Sequence, residues 1–132
     1  MFGDDLDAAD RWIDSWQSSI EHRAAQARAL CERVAGLTAT AHDDARLIEV
    51  TVDSAGVPSQ LRLDDRVHRL PAAELAERIL AVMRAAQAQL TQQVTEATTE
   101  LLGVDSASGQ AVIASYARRF GPPPDGRAHA GR

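Results

Sequence analysis

The chain has no lysine; all fourteen of its basic residues are arginine. Arginine suits bidentate contacts with carboxylate or phosphate, but an arginine-only composition is also what a GC-rich coding bias produces, and that is the simpler explanation. There is one cysteine, Cys31. No disulfide can close within the chain, which fits a reducing cytoplasm. Aromatic residues make up 4% and much of the 45% apolar content is alanine, so a lone chain of 132 residues has only a thin core. No apolar run approaches the roughly 18 residues of a membrane span. The opening MFGDDLDAAD has neither the basic nor the apolar region of a secretory signal, and points to a cytoplasmic protein. The four histidines, His22, His42, His68 and His129, show no metal-ligand spacing, and no glycine-rich phosphate loop follows a strand. Asp43-Asp44 and Asp64-Asp65 fall in turns, where aspartate serves the backbone. The expectation is a protein with no cofactor, no metal and no catalysis. The formal charge of −5 opposes non-specific attraction to nucleic acid.

The segment Arg46 to Asp64 organises the rest. Ile48, Val50 and Val52 alternate with Glu49, Thr51 and Asp53; after Ser54-Ala55-Gly56, Val57, Ser59, Leu61 and Leu63 alternate with Pro58, Gln60 and Arg62. This is the period of a strand with one apolar face. Gly56 supplies the positive φ that a bulged hairpin turn requires. Pro58 cannot donate to a ladder, so the last strand begins at an edge or a bulge. Leu37 to His42 reads as a first strand. Val50→Asp or Leu61→Asp should then break the sheet core.

Helical patterns flank the strands. Leu6, Ala9, Ile13, Trp16, Ile20, Ala27, Leu30 and Val34 recur in steps of three and four, with Arg23 interrupting the seam, and Gly36 fits a C-cap. Asp4, Asp5, Asp7, Asp10 and Asp14 crowd the start of this helix, where its dipole favours negative charge. Asp64 to Leu70 is a polar connector. A second seam runs Leu75, Ile79, Val82, Met83, Ala86, Leu90, Val94, Ala97 and Leu101 and ends at Gly103; Pro71 fits the first position of its helix. A short third helix follows, from Ser106 or Ser108 to Phe120. The domain reading is 1–102 for a dimerisation domain, 103–120 for the short helix and 121–132 for a disordered Pro/Gly-rich tail. Each long helix reaches about 45 Å, while strands of this length reach only about 25 Å. Both helices overhang the sheet with their apolar seams bare, and a second chain is the simplest cover. The fold class is α+β, in the order α-β-β-β-α plus the short helix, as an intertwined homodimer. Trp12, Ile13, Trp16, Ile20, Ile48, Val50, Val52, Leu61, Leu63, Leu90 and Val94 are the expected dimer or partner interface. Cys31 reads as a small buried residue.

The hairpin RLIEVTVDSAGVPSQLRLDDRVHRL followed by PAAELAERILAVMRAAQAQL resembles the YbaB/EbfC family of bacterial nucleoid-associated proteins. The match covers the hairpin and the start of the second long helix; the first helix agrees by pattern only. The resemblance implies a homodimer whose sheets join and whose helices project like tweezer arms, and a non-enzymatic DNA-binding role. The arginine-only composition and long Ala-rich helices look like the actinobacterial branch. That branch includes EspL-like proteins associated with type VII secretion, which implies an alternative: a cytoplasmic protein-interaction or chaperone-like factor with little or no DNA binding. Trp16-Gln17-Ser18 and Tyr116 with Phe120 depart from the Trp-x-Gly and Tyr-x-x-x-Asp/Glu signals of exported substrates.

Charge placement bears on that choice. Arg23, Arg28 and Arg33 are five apart, so each turns about 140° from the last and they ring their helix. Residues 1–35 carry four arginines against seven acids, 36–66 three against six and 67–102 three against four; only 103–132 is basic, with four against two. Candidate DNA contacts are therefore Arg28, Arg33, Arg118 and Arg119. An alternative role for Arg118 and Arg119 is to complement their helix dipole. Arg23 reads either as a paired or snorkelling residue inside a dimer, the better fit, or as part of a basic cleft. Trp12 reads either as an anchor for a protein partner or as packing on a second copy.

Overall fold

The computed structural model describes residues 2–124, and side chains from residue 5 onward. The order is α1 (Phe2–Ala35), β1 (Ala39–His42), β2 (Ile48–Val52), β3 (Pro58–Leu63), a 3-10 helix (Asp65–Arg69), α2 (Ala72–Leu102) and α3 (Ala107–Phe120). The α+β class and the helix-strands-helix-helix order agree with the sequence pattern. The side chain of Phe2, at the start of α1, lies outside the described set.

Two aspartates shape the turns of the sheet. Asp43 Oδ1 accepts from the backbone N–H of Leu47 at 2.7 Å and of Ile48 at 2.9 Å, while Arg46 takes a left-handed φ of 57°. Asp53 Oδ1 does the same for Ala55 and Val57, and Gly56 sits at φ 78°. The carboxylates satisfy N–H groups that the tight chain reversal leaves without ladder partners. The three strands pair antiparallel in the order β1-β2-β3, with a register irregularity at Thr51/Val52 that sets Val52 opposite Pro58.

One face of the sheet is covered by α2. Val82, Ala86, Leu90 and Val94 lie at helical spacing against Ala39 and Ala41 of β1 and Ile48, Val50 and Val52 of β2. The connector after β3 forms its 3-10 helix because Asp64 caps it, accepting from Arg66 N; this turns Val67 into the core. Pro71 occupies the N-cap of α2 and makes no side-chain cap bond, so it precedes the first helical turn instead of beginning it. Gly36 does not take the left-handed conformation of a glycine C-cap. Instead α1 closes with bonds from Gly36 N to Arg33 O and Leu37 N to Val34 O.

Burial within one chain revises several expectations. Ile48, Val50, Val52, Leu90 and Val94, expected at an interface, are all buried in the core of the single chain. They are already covered, so they offer no free surface. Leu61 lies directly opposite Val50 on the same face and Leu63 opposite Ile48, yet they are 49% and 44% exposed. The reason is lateral: α2 packs over β1 and β2, and β3 projects beyond it as an edge strand. Leu61→Asp is therefore expected to leave the fold intact, unlike Val50→Asp. Cys31 is exposed, not buried. The ends of the long helices do not simply pack on each other. Residues 26–34 of α1 run beside the last turns of α2, with Gln26 Nε2 donating to Leu101 O at 3.1 Å. All of α1 from residue 5 to 25 is exposed. With the first turn included, this arm is about 36 Å long.

Helix α3 folds back along α2. Ser106 caps it through a bond from Gly109 N, and Gly109 sits so close to α2 that a Cβ there would meet Thr98 Cγ2 at 2.9 Å. Its far end covers the β2–β3 turn. Tyr116 Oη donates to Ser54 O at 3.0 Å, Gln87 Nε2 of α2 donates to Gly56 O at 2.9 Å, and the Phe120 ring lies over Gly56. Of the tail expected over 121–132, Gly121 caps α3 and Pro123 and Pro124 are half-buried; residues 125–132, with Arg127, His129 and Arg132, lie outside the described residues.

Candidate nucleic-acid interface

Among the described residues no group of His, Cys, Asp or Glu could hold a metal, and no helix is long and apolar enough to cross a membrane. The chemistry on offer is that of its arginines.

Several are engaged with acids. Arg33 Nη2 lies 2.7 Å from Glu100 Oε2, tying α1 to α2. Arg66 pairs with Asp64 at 2.9 Å, and Arg78 with Glu74 at 2.8 Å and more distantly with Asp43 at 4.0 Å. Arg62 is 3.8 Å from Glu49. Arg46, which flanks the hairpin, forms no ion pair among the described residues. Arg33, expected to contact DNA, is thus largely neutralised where it stands.

The hydrogen bond from Arg33, reinforced by its charge, holds the Glu100 carboxyl below the ordinary carboxylate range, and Arg66 does the same for Asp64. A depressed folded pKa means that the contact contributes above the unfolded pKa and is lost as pH falls through the folded value. Both pairs are open to solvent, so the effect is small. Glu100→Gln should lower the thermal midpoint slightly at neutral pH, and the difference from wild type should vanish as pH falls below the ordinary carboxylate range and through the depressed folded value of Glu100.

Arg118 and Arg119 stand in the last turn of α3, where positive charge complements the carbonyl end of the helix. Arg119 also lies over the rings of Tyr116 and Phe120, at 5.5 and 4.7 Å from their centroids. Stacking fixes the guanidinium plane and still leaves its edge in solvent for an oxygen ligand. Both arginines are exposed and without an acidic partner among the described residues. Asp53, at the start of the turn that α3 covers, has its Oδ1 taken up by backbone N–H groups.

The four expected contacts do not form one patch. Arg33 is bonded to Glu100, whereas Phe120 sits at the level of Gln87, thirteen residues earlier on α2, or about 20 Å along the axis. The arginine of α2 next to that level is Arg84. This exposed residue is one helical turn from Gln87 on the same side of α2. Arg78 and Arg84 are six residues apart on α2 and point to different faces, so the sequence alone singles out neither. The return of α3 to Gly56 brings its end to the level of Gln87, one turn along α2 from Arg84. Arg28 is exposed and without an acidic partner among the described residues, as are Arg11 and Arg23 on the same helix.

A search of curated proteins finds no match to the chain. The model of the YbaB/EbfC DNA-binding family matches residues 14–104.

Proposed function

The chain belongs to the YbaB/EbfC DNA-binding family, which is non-enzymatic and nucleoid-associated, and from that premise we propose that it is a cytoplasmic homodimer that binds duplex DNA without catalysis. Its phosphate contacts are Arg118 and Arg119 at the end of α3, with Arg84 beside them and Arg28 as an outlying contact. The family match carries this reading. Among the described residues these arginines are exposed and have no acidic partner, which is consistent with it, because a guanidinium already held by a carboxylate gains less from a phosphate.

The test is a fluorescence-anisotropy titration on duplex DNA at several salt concentrations. Wild type should bind with an affinity that falls steeply with salt. Each arginine changed to alanine should reduce the slope of log K against log salt by about 0.9, and by twice that in a two-fold dimer. A slope unchanged in the Arg84→Ala, Arg118→Ala, Arg119→Ala triple variant would place the DNA elsewhere.

The uncovered face of β3 supports dimerisation. Leu61 and Leu63 continue the apolar face of the sheet past the edge of α2, and a second copy would complete that cover. Leu61→Asp should retain the circular dichroism of wild type while sedimenting as a smaller species.

A second reading is favoured by Trp12, which at 69% exposure is a large apolar anchor without cover on an acidic helix. In it the protein is an interaction or chaperone-like factor of the kind associated with type VII secretion. No DNA binding near physiological salt by a well-behaved dimer would select it.

A further inference from the structure

The arm of α1 is an apolar helix face with nothing on it. Leu6, Trp12, Ile13, Trp16 and Ile20 are among the most exposed large apolar residues of the chain. Its seam is the upward continuation of a packing face already in use, since Leu30 is buried and Val34 half-buried where α1 meets α2. At the level of Gln26, α2 ends and the seam runs on alone through Arg23, Ile20, Trp16, Ile13, Ala9 and Leu6.

We propose that the arms of two copies pair antiparallel about a two-fold axis between Asp14 and Ser15, so that Arg23 of each copy lies beside Asp5 and Leu6 of the other. The seam is complementary to itself only in that direction. In heptad terms Leu6, Ile13 and Ile20 occupy one core position and Ala9, Trp16 and Arg23 the other; antiparallel helices set these two kinds against each other, and parallel helices set like against like. Antiparallel pairing places Ile13 opposite Trp16, the small Ala9 opposite Ile20, and the stem of Arg23 against Leu6. Parallel pairing would stack Trp16 on Trp16 and Ala9 on Ala9, giving an overfilled layer near an underfilled one, and would bring Arg23 against Arg23 in the core.

Charge points the same way. The arm is acidic at its tip, with Asp5, Asp7 and Asp10, and carries Arg23 at its base. Antiparallel pairing brings tip to base, whereas parallel pairing would crowd the acids of both copies together. The same acids make the arm a poor surface for phosphate. The body also has room for the arriving tip. A cavity of about 520 Å³, lined by Arg23, Gln26, Ala27, Leu102, Asp105 and Ser106 among others, opens where the partner's first turns would end. Leu6 of the second copy enters its apolar side. This pairing is a contact distinct from the β3 face and does not depend on DNA binding.

Disulfide trapping tests both the contact and its direction. In a Cys31→Ser background, Ala9→Cys and Ile20→Cys are made as separate proteins; every site is exposed, so the body should fold normally. Mild oxidation of the two mixed together should give a cross-linked heterodimer, while each alone stays monomeric on a non-reducing gel. Cross-linking of each variant with itself and not in mixture would mean parallel arms and would overturn the proposal. Absence of cross-links in every sample would show that the arms do not pair. Arg23→Asp in both partners should slow heterodimer trapping severalfold, and Asp5→Arg added to it should restore the rate. A rate indifferent to both changes would refute the Arg23–Asp5 contact.

Discussion

Val50→Asp is expected to yield no cooperatively folded protein. Val50 is 2% exposed on the central strand, flanked in register by Ala41 and Leu61 and covered by α2. A carboxylate there has no cation or free N–H to meet, because the neighbouring groups are methyls and ladder-bonded amides. Leaving such a group unpaired costs several kcal/mol even after it takes up a proton, and about 1.5 kcal/mol or more of valine burial is lost as well. A domain of this size has a total stability of roughly 5–15 kcal/mol. Its thin core suggests the lower part of that range. Circular dichroism and urea titration provide the measurement: a cooperative transition close to wild type would mean that α2 does not cover β2 as described. The paired substitution sharpens the result, since Leu61→Asp, directly across the ladder on the same face, should keep the transition.

Gly56→Val is expected to release α3 from the body while the sheet survives. Two effects act together. Gly56 has φ 78°, a conformation that a β-branched residue adopts only with strain. A Cβ at this position would also overlap Cε1 and Cζ of Phe120, so the ring must leave the turn on which the Tyr116–Ser54 and Gln87–Gly56 bonds hold α3. Together these should cost about 3 kcal/mol, and amide exchange should rise selectively across residues 107–120. Phe120→Ala removes the clash but not the strain. The double variant should therefore be more stable than the sum of the two single effects by about 1 kcal/mol or more. Additive effects would show that the ring does not rest on the turn. If the proposed DNA contacts are correct, Gly56→Val should weaken DNA binding as much as losing Arg118 and Arg119, although residue 56 touches no phosphate.

What could be read beforehand was whatever the backbone writes locally. The hairpin was legible because apolar alternation over Ile48–Val52 switches at an Asp-x-x-Gly turn, and the turn chemistry leaves few conformations open. The limits of α3 were legible because Ser106 and Gly121 punctuate an apolar repeat ending at Phe120. Alternation along a strand says which side chains share a face. It does not say how far a helix extends across that face, so Val50 and Leu61 looked equivalent although one is buried and the other bare. The same lateral placement decided the fate of Leu90 and Val94, whose seam looked like surplus and proved to be core. Cys31 was misjudged because a small apolar residue on a helix tells nothing of the direction in which its neighbour lies. Arg84 joined the candidate site only through α3, which lies beyond the stretch that matches the family. The charge balance of the C-terminal part pointed to Arg118 and Arg119, but not to the ring stack that orients Arg119.

The bond from Tyr116 to Ser54 spans 62 residues, and this has a consequence for the chain as it is synthesised. The sheet and α2 are complete once Leu102 has emerged, so the core under α2 can condense on its own, with contacts that are comparatively local. The hairpin turn and the Thr98 side of α2 then wait in water until α3 has left the ribosome. Docking of α3 is thus a late, separate event laid over a finished body, with its own rate and its own stability. A homologue could acquire, lose or replace such an appendage without redesigning the core beneath it.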